Sequence, residues 1–244
     1  MKLSNNTILI TGGTSGIGFE MVQQFYNLDN KLIVTSSNQH NLDKLKIQFP
    51  KIETLLCNLS DNISVMSLIN QCLEEHNDIN IVINNAGIQN NYNWLDEQDG
   101  HRKIEDEVQI NFTSPMRIVY GLLPILASKQ TAAIVNISSG LALAPKKSAP
   151  IYCATKAAIH NATKALRYQL ENTTVKVFEI LPPLVDTAMT EGRGKGKITP
   201  KQLVNEFLIN FTKDRFESNI GKVKLLKFIQ RILPKLANNL MKNG

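Results

Sequence analysis

The stretch Thr7-Ile-Leu-Ile-Thr-Gly-Gly-Thr-Ser-Gly-Ile-Gly18 decides the fold of this chain of 244 residues. Its first five residues are an apolar, β-branched run that is typical of a buried strand. The glycine-rich loop that follows opens an amphipathic helix, which we predict from about Ile17 to Leu28. A strand, a glycine loop and a helix in this order form a cradle for a dinucleotide phosphate, because the helix N-terminus offers free N–H groups. The alternative interpretation is a glycine-rich turn that binds no ligand.

The rest of the chain alternates between apolar strands and helices. Further strands are predicted at residues 31–36, 54–57, 80–84, 132–137 and 175–180. Helices are predicted at about 41–48, 102–126, 150–171 and 200–212, and residues 58–61 are predicted to cap a further helix that runs to about residue 75. Such alternation predicts a parallel sheet with helices on both faces, and right-handed crossovers give it a doubly wound order. We therefore expect an α/β fold with a single Rossmann sheet of about seven strands.

The composition is that of an ordinary globular protein, with 43% hydrophobic and 20% charged residues. No apolar run reaches the roughly 18 residues of a membrane-spanning helix, and the N-terminus shows no signal-peptide pattern. Three well-separated cysteines and four scattered histidines show no ligand spacing, so we expect no metal site. Free thiols favour a cytoplasmic location.

The net charge of +6 comes from the C-terminal segment. Residues 221–244 hold six lysines and arginines and no acidic residue, which leaves 21 basic and 21 acidic residues elsewhere. The main body therefore shows no basic footprint for nucleic acid.

The C-terminal segment is also amphipathic, with leucine, isoleucine and phenylalanine at near-helical spacing over residues 222–242. Pro234 should divide it into two short helices. A basic amphipathic segment is able to lie on an anionic membrane surface. It is equally able to pack its apolar face on the domain or on a second subunit, and we favour this packing.

Tyr152 and Lys156 form a Tyr-x-x-x-Lys pair near the start of a predicted helix. A spacing of four places the phenol and the ammonium on one helix face. A nearby cation favours the phenolate, so we expect Lys156 to lower the pKa of Tyr152. The pair would then serve as an acid/base at an alcohol oxygen. On its own, the pattern also fits two surface residues without a function.

Two other stretches bear on a ligand. The second strand ends in Ser36-Ser37-Asn38, where Rossmann folds contact the adenosine ribose. Because no carboxylate is present there to repel a 2′-phosphate, we favour NADP(H) over NAD(H). The run Thr190–Lys197 alternates glycines with cations, and it is interpreted either as a lid over the active site or as a solvated surface loop.

Six motifs follow one another along the chain: Thr11–Gly18, Asn84–Gly87, Asn111, Ser139, Tyr152-x-x-x-Lys156 and Pro182–Thr187. Together, over roughly residues 5–220, they resemble the short-chain dehydrogenase/reductase family. Ser139 lies 13 residues before Tyr152, which is the separation that this family uses. Residues 192–197 and 220–226 further resemble the DltE-type subgroup of bacterial oxidoreductases, named for an association with lipoteichoic-acid D-alanylation.

The resemblance implies a role for each matched residue. Tyr152 would be the general acid/base, and Lys156 would hold the nicotinamide ribose and lower the tyrosine pKa. Ser139 would bind the substrate oxygen, and Asn111 would hold a water that links Lys156 to solvent. The implied cofactor contacts are Gly12, Thr14, Ser15, Gly16, Ile17, Gly18, Ser36, Ser37, Asn58, Leu59, Asn85, Ala86, Gly87, Tyr152, Lys156, Pro182, Val185 and Thr187.

The sequence departs from the family pattern at three places. Asn58 replaces the usual aspartate at the adenine, and an amide oxygen is still able to accept that bond. Pro183 replaces the glycine that commonly follows Pro182, which stiffens the loop. The end of the second strand lacks both of the residues that usually select the cofactor.

These features predict an NAD(P)(H)-dependent oxidoreductase of small carbonyl or alcohol substrates. We expect a dinucleotide-binding catalytic domain over residues 1–220, with the basic segment 221–244 packed on it. From the resemblance we also expect a homodimer or homotetramer. The alternative is a low-turnover cofactor-binding redox sensor or scaffold linked to cell-envelope biosynthesis.

Overall fold

A seven-stranded parallel sheet forms the centre of the computed structural model, which describes residues 1–243. Its strands are β1 (Thr7–Thr11), β2 (Lys31–Ser36), β3 (Glu53–Leu56), β4 (Ile81–Asn84), β5 (Ala132–Ile137), β6 (Val175–Leu181) and β7 (Glu217–Asn219). They lie in the order β3-β2-β1-β4-β5-β6-β7. This order confirms the predicted doubly wound Rossmann fold, in which the chain reverses direction across the sheet between β1 and β4.

Nine α-helices occur among the described residues. They are α1 (Gly16–Asn27), α2 (Gln39–Gln48), α3 (Asn62–Glu75), α4 (Gly100–Val108), α5 (Ser114–Ala127), α6 (Pro150–Gln169), α7 (Pro200–Thr212), α8 (Val223–Ile232) and α9 (Pro234–Met241). Side-chain caps fix several of their starts. The Asp61 carboxylate accepts hydrogen bonds from the N–H groups of Ile63 and Ser64, at 3.0 and 3.2 Å, and so begins α3.

Two apolar layers cover the two faces of the sheet. On one face, α1 and α7 pack residues such as Phe25, Phe207 and Phe211 against the strands. On the other face, α3 and α5 contribute residues such as Leu68 and Leu122. The strands β1, β2, β4, β5 and β6 are largely buried on both faces, which explains why their sequences are mostly apolar rather than alternating.

The helix predicted over 102–126 is interrupted. A π-helical segment, Gln109–Thr113, separates α4 from α5 and contains Asn111. Pro115 has no N–H, so it cannot give the α-helical hydrogen bond to the Asn111 carbonyl. Wider turns of this kind occur frequently at functional sites.

The C-terminal helices α8 and α9 form a helical hairpin, and α9 begins at Pro234. Its inner edge packs on the domain, where Val223 and Ala237 are buried. Its outer face carries six exposed apolar side chains: Leu225, Phe228, Ile232, Leu233, Leu236 and Leu240. Within residues 1–243, no helix is both long enough and apolar enough to cross a membrane.

Candidate active site

A cavity of about 680 Å³ opens at the carboxyl ends of the parallel strands, the edge at which this fold binds ligands. Every predicted cofactor contact lines it except Gly18. Among the four predicted catalytic residues, Ser139, Tyr152 and Lys156 line it. Asn111 lies behind Gly87. A Cβ added at Gly87 would lie 3.0 Å from the Asn111 Oδ1 and 3.6 Å from the Lys156 Nζ. The fold therefore brings residues from six separate motifs to one place.

The glycine loop forms one end of the cavity. Gly12 has a φ of +65°, and a Cβ there would lie 2.9 Å from the Cα of Ala86, so only glycine fits. A Cβ at Gly18 would lie 2.3 Å from the Gly12 carbonyl oxygen, which makes Gly18 a packing residue between α1 and the loop. Ser15 precedes α1 without a side-chain cap, so the first N–H groups of the helix are left for an anion.

Asn85 holds the glycine loop against the end of β4. Its Nδ2 donates to the carbonyls of Thr11 and Gly12, at 3.0 and 2.9 Å. Thr11 Oγ1 accepts from the backbone N–H groups of Asn85 and Ala86 in return, at 3.1 and 3.2 Å. The Asn84–Gly87 motif therefore fixes the shape of the cradle that a pyrophosphate would need.

The end of β2 holds the predicted serines. Thr14 Oγ1 donates to the Ser36 hydroxyl at 3.3 Å, and Asn38 N donates to it at 3.2 Å. Ser37 also lines the cavity but is exposed. The Asn58 amide oxygen was expected to accept a hydrogen bond from the adenine. In the structure this Oδ1 already accepts from the Ser60 N–H and hydroxyl, at 3.1 and 2.9 Å.

Tyr152 and Lys156 lie one turn apart on α6, and both are buried. The Lys156 Nζ donates to the Ile137 carbonyl at 2.8 Å and lies 5.6 Å from the centre of the Tyr152 ring. Burial raises the pKa of Tyr152 to about 12, although a hydrogen bond with Ser139 opposes the rise. Burial lowers the pKa of Lys156 to about 8, and the Glu179 carboxylate opposes that change.

The predicted lowering of the Tyr152 pKa by Lys156 is therefore wrong for this structure. Removing the phenol from water disfavours the phenolate by more than nearby groups favour it. Tyr152 consequently holds its proton at neutral pH, as a general acid requires.

Ser139 follows β5, and its hydroxyl oxygen accepts from the Leu141 N–H at 3.1 Å. That bond leaves the hydroxyl hydrogen free to donate to another oxygen. The Asn111 side chain is fully engaged: Oδ1 accepts from Ile88 N at 2.8 Å, and Nδ2 donates to Ile88 O at 2.9 Å and to Thr155 Oγ1 at 3.2 Å. Its amide therefore holds the loop after β4 against α6.

The sequence did not predict a buried polar group beneath these residues. The Glu179 carboxylate on β6 lies 2.9 Å from His160 Nδ1 and accepts from the Ser138 hydroxyl at 2.5 Å. His160 is one turn beyond Lys156 on α6, and Ser138 directly precedes Ser139. The spacing of four from Tyr152 to Lys156 to His160 is the one sequence signal that could have placed His160 in this buried group.

The predicted lid also contributes residues to the cavity. Arg193, Gly194 and Lys195 line the cavity, together with Lys146 and with Met241 from α9. Gly194 has a φ of +57°, and a Cβ there would lie 2.4 Å from the Leu184 side chain. Pro182, Val185 and Thr187 line the cavity as well. Among residues 1–243, no group of three potential metal ligands comes together.

Comparison with known proteins gives the same family at several levels. A family model described as short chain dehydrogenase matches residues 6–197. The oxidoreductase DltE of Bacillus subtilis is 37% identical over 218 residues, 88% of this chain and 85% of that protein. A 3alpha-hydroxysteroid dehydrogenase of Mediterraneibacter gnavus is 29% identical over 206 residues, 82% of this chain and 82% of that protein.

Among solved structures, a short chain dehydrogenase from Burkholderia cenocepacia in complex with NADP has a TM-score of 0.89 at 20% identity, and the match covers 100% of both chains. A short chain dehydrogenase/reductase from Burkholderia phymatum in complex with NAD has a TM-score of 0.85 at 19% identity, covering 100% of this chain and 97% of that one. At these identities the likeness is one of fold.

Proposed function

Because this chain belongs to the short chain dehydrogenase family and its DltE-like subgroup, we propose that it transfers a hydride between a nicotinamide cofactor and a carbonyl or alcohol carbon. Its relatives are oxidoreductases and dehydrogenases by name, and this chain is an enzyme of their kind. The observation that carries the proposal is the placement of Tyr152, Lys156 and Ser139 in the cavity that the glycine loop also lines.

The cofactor, when bound, supplies or accepts the hydride. Tyr152 donates its phenolic proton to the carbonyl oxygen as negative charge develops there. The Ser139 hydroxyl donates a hydrogen bond to the same oxygen, and this bond is strongest when the charge is largest. In the reverse direction Tyr152 takes the proton from the alcohol.

Lys156 and Asn111 support this proton transfer. We propose that the ammonium group of Lys156 holds the nicotinamide ribose and favours the phenolate that remains after proton donation. The Asn111 carbonyl, which has no α-helical donor at Pro115, would hold a water that passes a proton from Lys156 to solvent.

For the cofactor we propose NADP(H) in preference to NAD(H). The glycine loop and the exposed N–H groups of α1 fit a pyrophosphate, and the end of β2 offers hydroxyls and no carboxylate. Structural neighbours are described with NADP and with NADPH, and another with NAD. Because the neighbours carry both cofactors, the proposed preference rests on the local chemistry at Ser36 and Ser37.

We further propose a cytoplasmic enzyme that acts on a small molecule and assembles as a homodimer or homotetramer, without nucleic acid. The apolar outer face of the helical hairpin supports contact with a second subunit in preference to a lipid surface. The alternative function is a redox sensor or scaffold that binds the cofactor but turns over little. An intact set of Tyr152, Lys156, Ser139 and Asn111 disfavours it, since binding alone requires neither Ser139 nor Asn111.

Replacing Tyr152→Phe tests the function. The ring remains, so we expect cofactor binding to be retained, whereas turnover should fall by at least about a hundredfold because the transferable proton is gone. Fluorescence titration with NADPH and steady-state reduction of a ketone panel give the two measurements. Tyr26→Phe on α1 is the matched control, since Tyr26 lies outside the cavity lining. Unchanged turnover in Tyr152→Phe would contradict the role of Tyr152 as the general acid/base, whereas a wild type that binds NADPH but reduces no ketone would support the sensor alternative.

A further inference from the structure

The cavity lining contains four cations and no carboxylate: Lys146, Lys156, Arg193 and Lys195. Lys156 belongs to the catalytic group, and its ammonium group has the Ile137 carbonyl as partner. The other three come from the segment before α6 and from the predicted lid, and we call them the distal cations. Apolar side chains also line the cavity, among them Leu141, Met189 and Met241.

No acidic side chain among residues 1–243 neutralises the distal cations. Among residues 1–243, none of the three forms a salt bridge or a side-chain hydrogen bond with an acid. The Arg193 Nη1 is buried and makes no hydrogen bond. Lys197, in the same loop, bonds instead to the Asp186 carboxylate at 3.3 Å and to the Thr190 carbonyl at 2.7 Å. The loop therefore pairs one of its cations and leaves Arg193 turned into the cavity.

Lys146 and Arg193 are also close enough to affect each other. Burial lowers the pKa of Lys146, and the positive charge of Arg193 lowers it further. The positive charge of Arg193 also opposes the raised pKa of Tyr152. Two like charges held together in a partly buried cavity destabilise the protein unless an anion lies between or beside them.

We propose that the distal cations bind an acidic group of the substrate, so that the substrate is an apolar ketone or secondary alcohol with a carboxylate or phosphate at its far end. The reacting carbon lies at Tyr152 and Ser139, the hydrocarbon lies along the apolar wall, and the oxyanion meets Arg193 and Lys146. Arginine suits this task because its planar fork matches a carboxylate or a phosphate with two parallel bonds. The inference rests on the proposed function and adds the substrate class to it.

A matched substrate set tests the inference on the full-length enzyme with saturating NADPH. The set is a methyl ketone that ends in a carboxylate, its neutral methyl ester, and the corresponding phosphate monoester. We expect kcat/KM for an anionic member to exceed that for the ester by about tenfold to a hundredfold, as for a charge-assisted hydrogen bond. The preferred anionic member distinguishes carboxylate from phosphate.

Arg193→Gln and Lys146→Gln should each reduce the ratio of kcat/KM for the anion to that for the ester by about tenfold. Lys147→Gln is the matched control, because Lys147 is exposed, adjacent in sequence and outside the cavity lining; its ratio should equal that of the wild type. Added salt should weaken the wild-type preference.

Three results would overturn the inference. One is a wild type that reduces the ester as well as the anions. Another is a variant whose ratio stays at the wild-type value. The third is an Arg193→Gln protein in which NADPH binding falls instead, which would assign the distal cations to the cofactor phosphates. If no ketone is reduced, the proposed function fails, and the inference is decided by thermal shift: the same carboxylate should raise the melting temperature of the wild type and not of Arg193→Gln.

Discussion

Tyr152 and Lys156 show how the burial of a catalytic pair determines which form of each group is present. Both side chains leave water when the helix packs on the sheet, so the charged form of each becomes less favourable. The raised pKa of the tyrosine and the lowered pKa of the lysine are therefore two consequences of one cause. The resulting pair is a proton donor beside a lysine that is ready to lose its own proton near pH 8.

This arrangement predicts opposite pH profiles for the two directions of reaction. Carbonyl reduction uses the phenol, which is the dominant form well below a pKa of about 12. We expect its rate to stay nearly level between about pH 6 and pH 8. Alcohol oxidation uses the phenolate, whose fraction grows about tenfold per pH unit below the pKa. Its rate should therefore rise between about pH 7 and pH 9.

Initial rates in both directions, at saturating cofactor, check this expectation. Tyr152→Phe supplies the control, since its residual oxidation should lose the dependence on pH. An oxidation rate that is level over the same range would contradict a protonated Tyr152.

The sequence predicted the residues of this site better than it predicted their surroundings. Tyr152, Lys156, Ser139 and the glycine loop could be identified because their spacing along the chain is characteristic. Glu179 and Lys146 could not be, because each becomes significant only through neighbours that are distant in sequence. Glu179 lies within an apolar strand, and only the fold shows that His160 and Ser138 surround its carboxylate. The direction of the Tyr152 pKa shift was not predicted, because the spacing of residues along the chain does not show how deeply a side chain is buried.

At the scale of the elements, periodicity located every long helix and strand but failed where the pattern is short or broken. β7 is three residues long, with the sequence Glu-Ser-Asn, so it carries no apolar signal at all. The single helix predicted over 102–126 contains the π-helical segment at Asn111, because hydrophobic spacing does not register one wider turn. Helix starts shifted by up to about two residues, as at Gln39, where Asn38 caps α2.

The end of β2 is the element that should select the cofactor. Ser36 is engaged with Thr14 and Asn38, so Ser37 is the residue free to meet a 2′-phosphate. Ser37→Asp would place a carboxylate there, and we expect the Kd for NADPH to rise by at least about tenfold through like-charge repulsion. The Kd for NADH should stay level or fall.

Fluorescence titration of both cofactors measures this change. Ser37→Asn is the matched control, because it adds the same bulk without the charge and should preserve the wild-type order. A wild type that binds NADH more tightly than NADPH would contradict the proposed preference.

At the scale of the whole molecule, two helical surfaces carry groups of exposed apolar side chains. One is the helical surface of α3, α5 and α6, where Tyr120 is 83% and Tyr168 is 70% exposed. A groove on it is lined by Met66, Ile69, Leu73, Phe112, Met116 and Tyr120. The other is the outer face of the helical hairpin. Contiguous apolar surface of this kind commonly marks an interaction site.

We expect the first surface to form the main contact between subunits, which predicts a dimer or tetramer in solution. Tyr120→Glu would bury a carboxylate in that contact, so the particle should dissociate to monomers while keeping its fold. Light scattering after size exclusion, at about 10 μM protein, gives the mass, and circular dichroism verifies folding. A monomeric wild type would contradict the expected assembly.

Phe228→Glu places the same charge on the hairpin face and so distinguishes the contributions of the two surfaces to assembly. A tetramer that uses the hairpin should fall to a dimer, whereas a dimer built only on α5 and α6 should keep its mass.

Sedimentation with anionic vesicles at moderate salt completes the experiment. A wild type that uses the hairpin between subunits should stay in the supernatant, because a hairpin covered by a second subunit has no apolar face left for lipid. Sedimentation of the wild type that Phe228→Glu abolishes would instead establish the hairpin as a membrane contact.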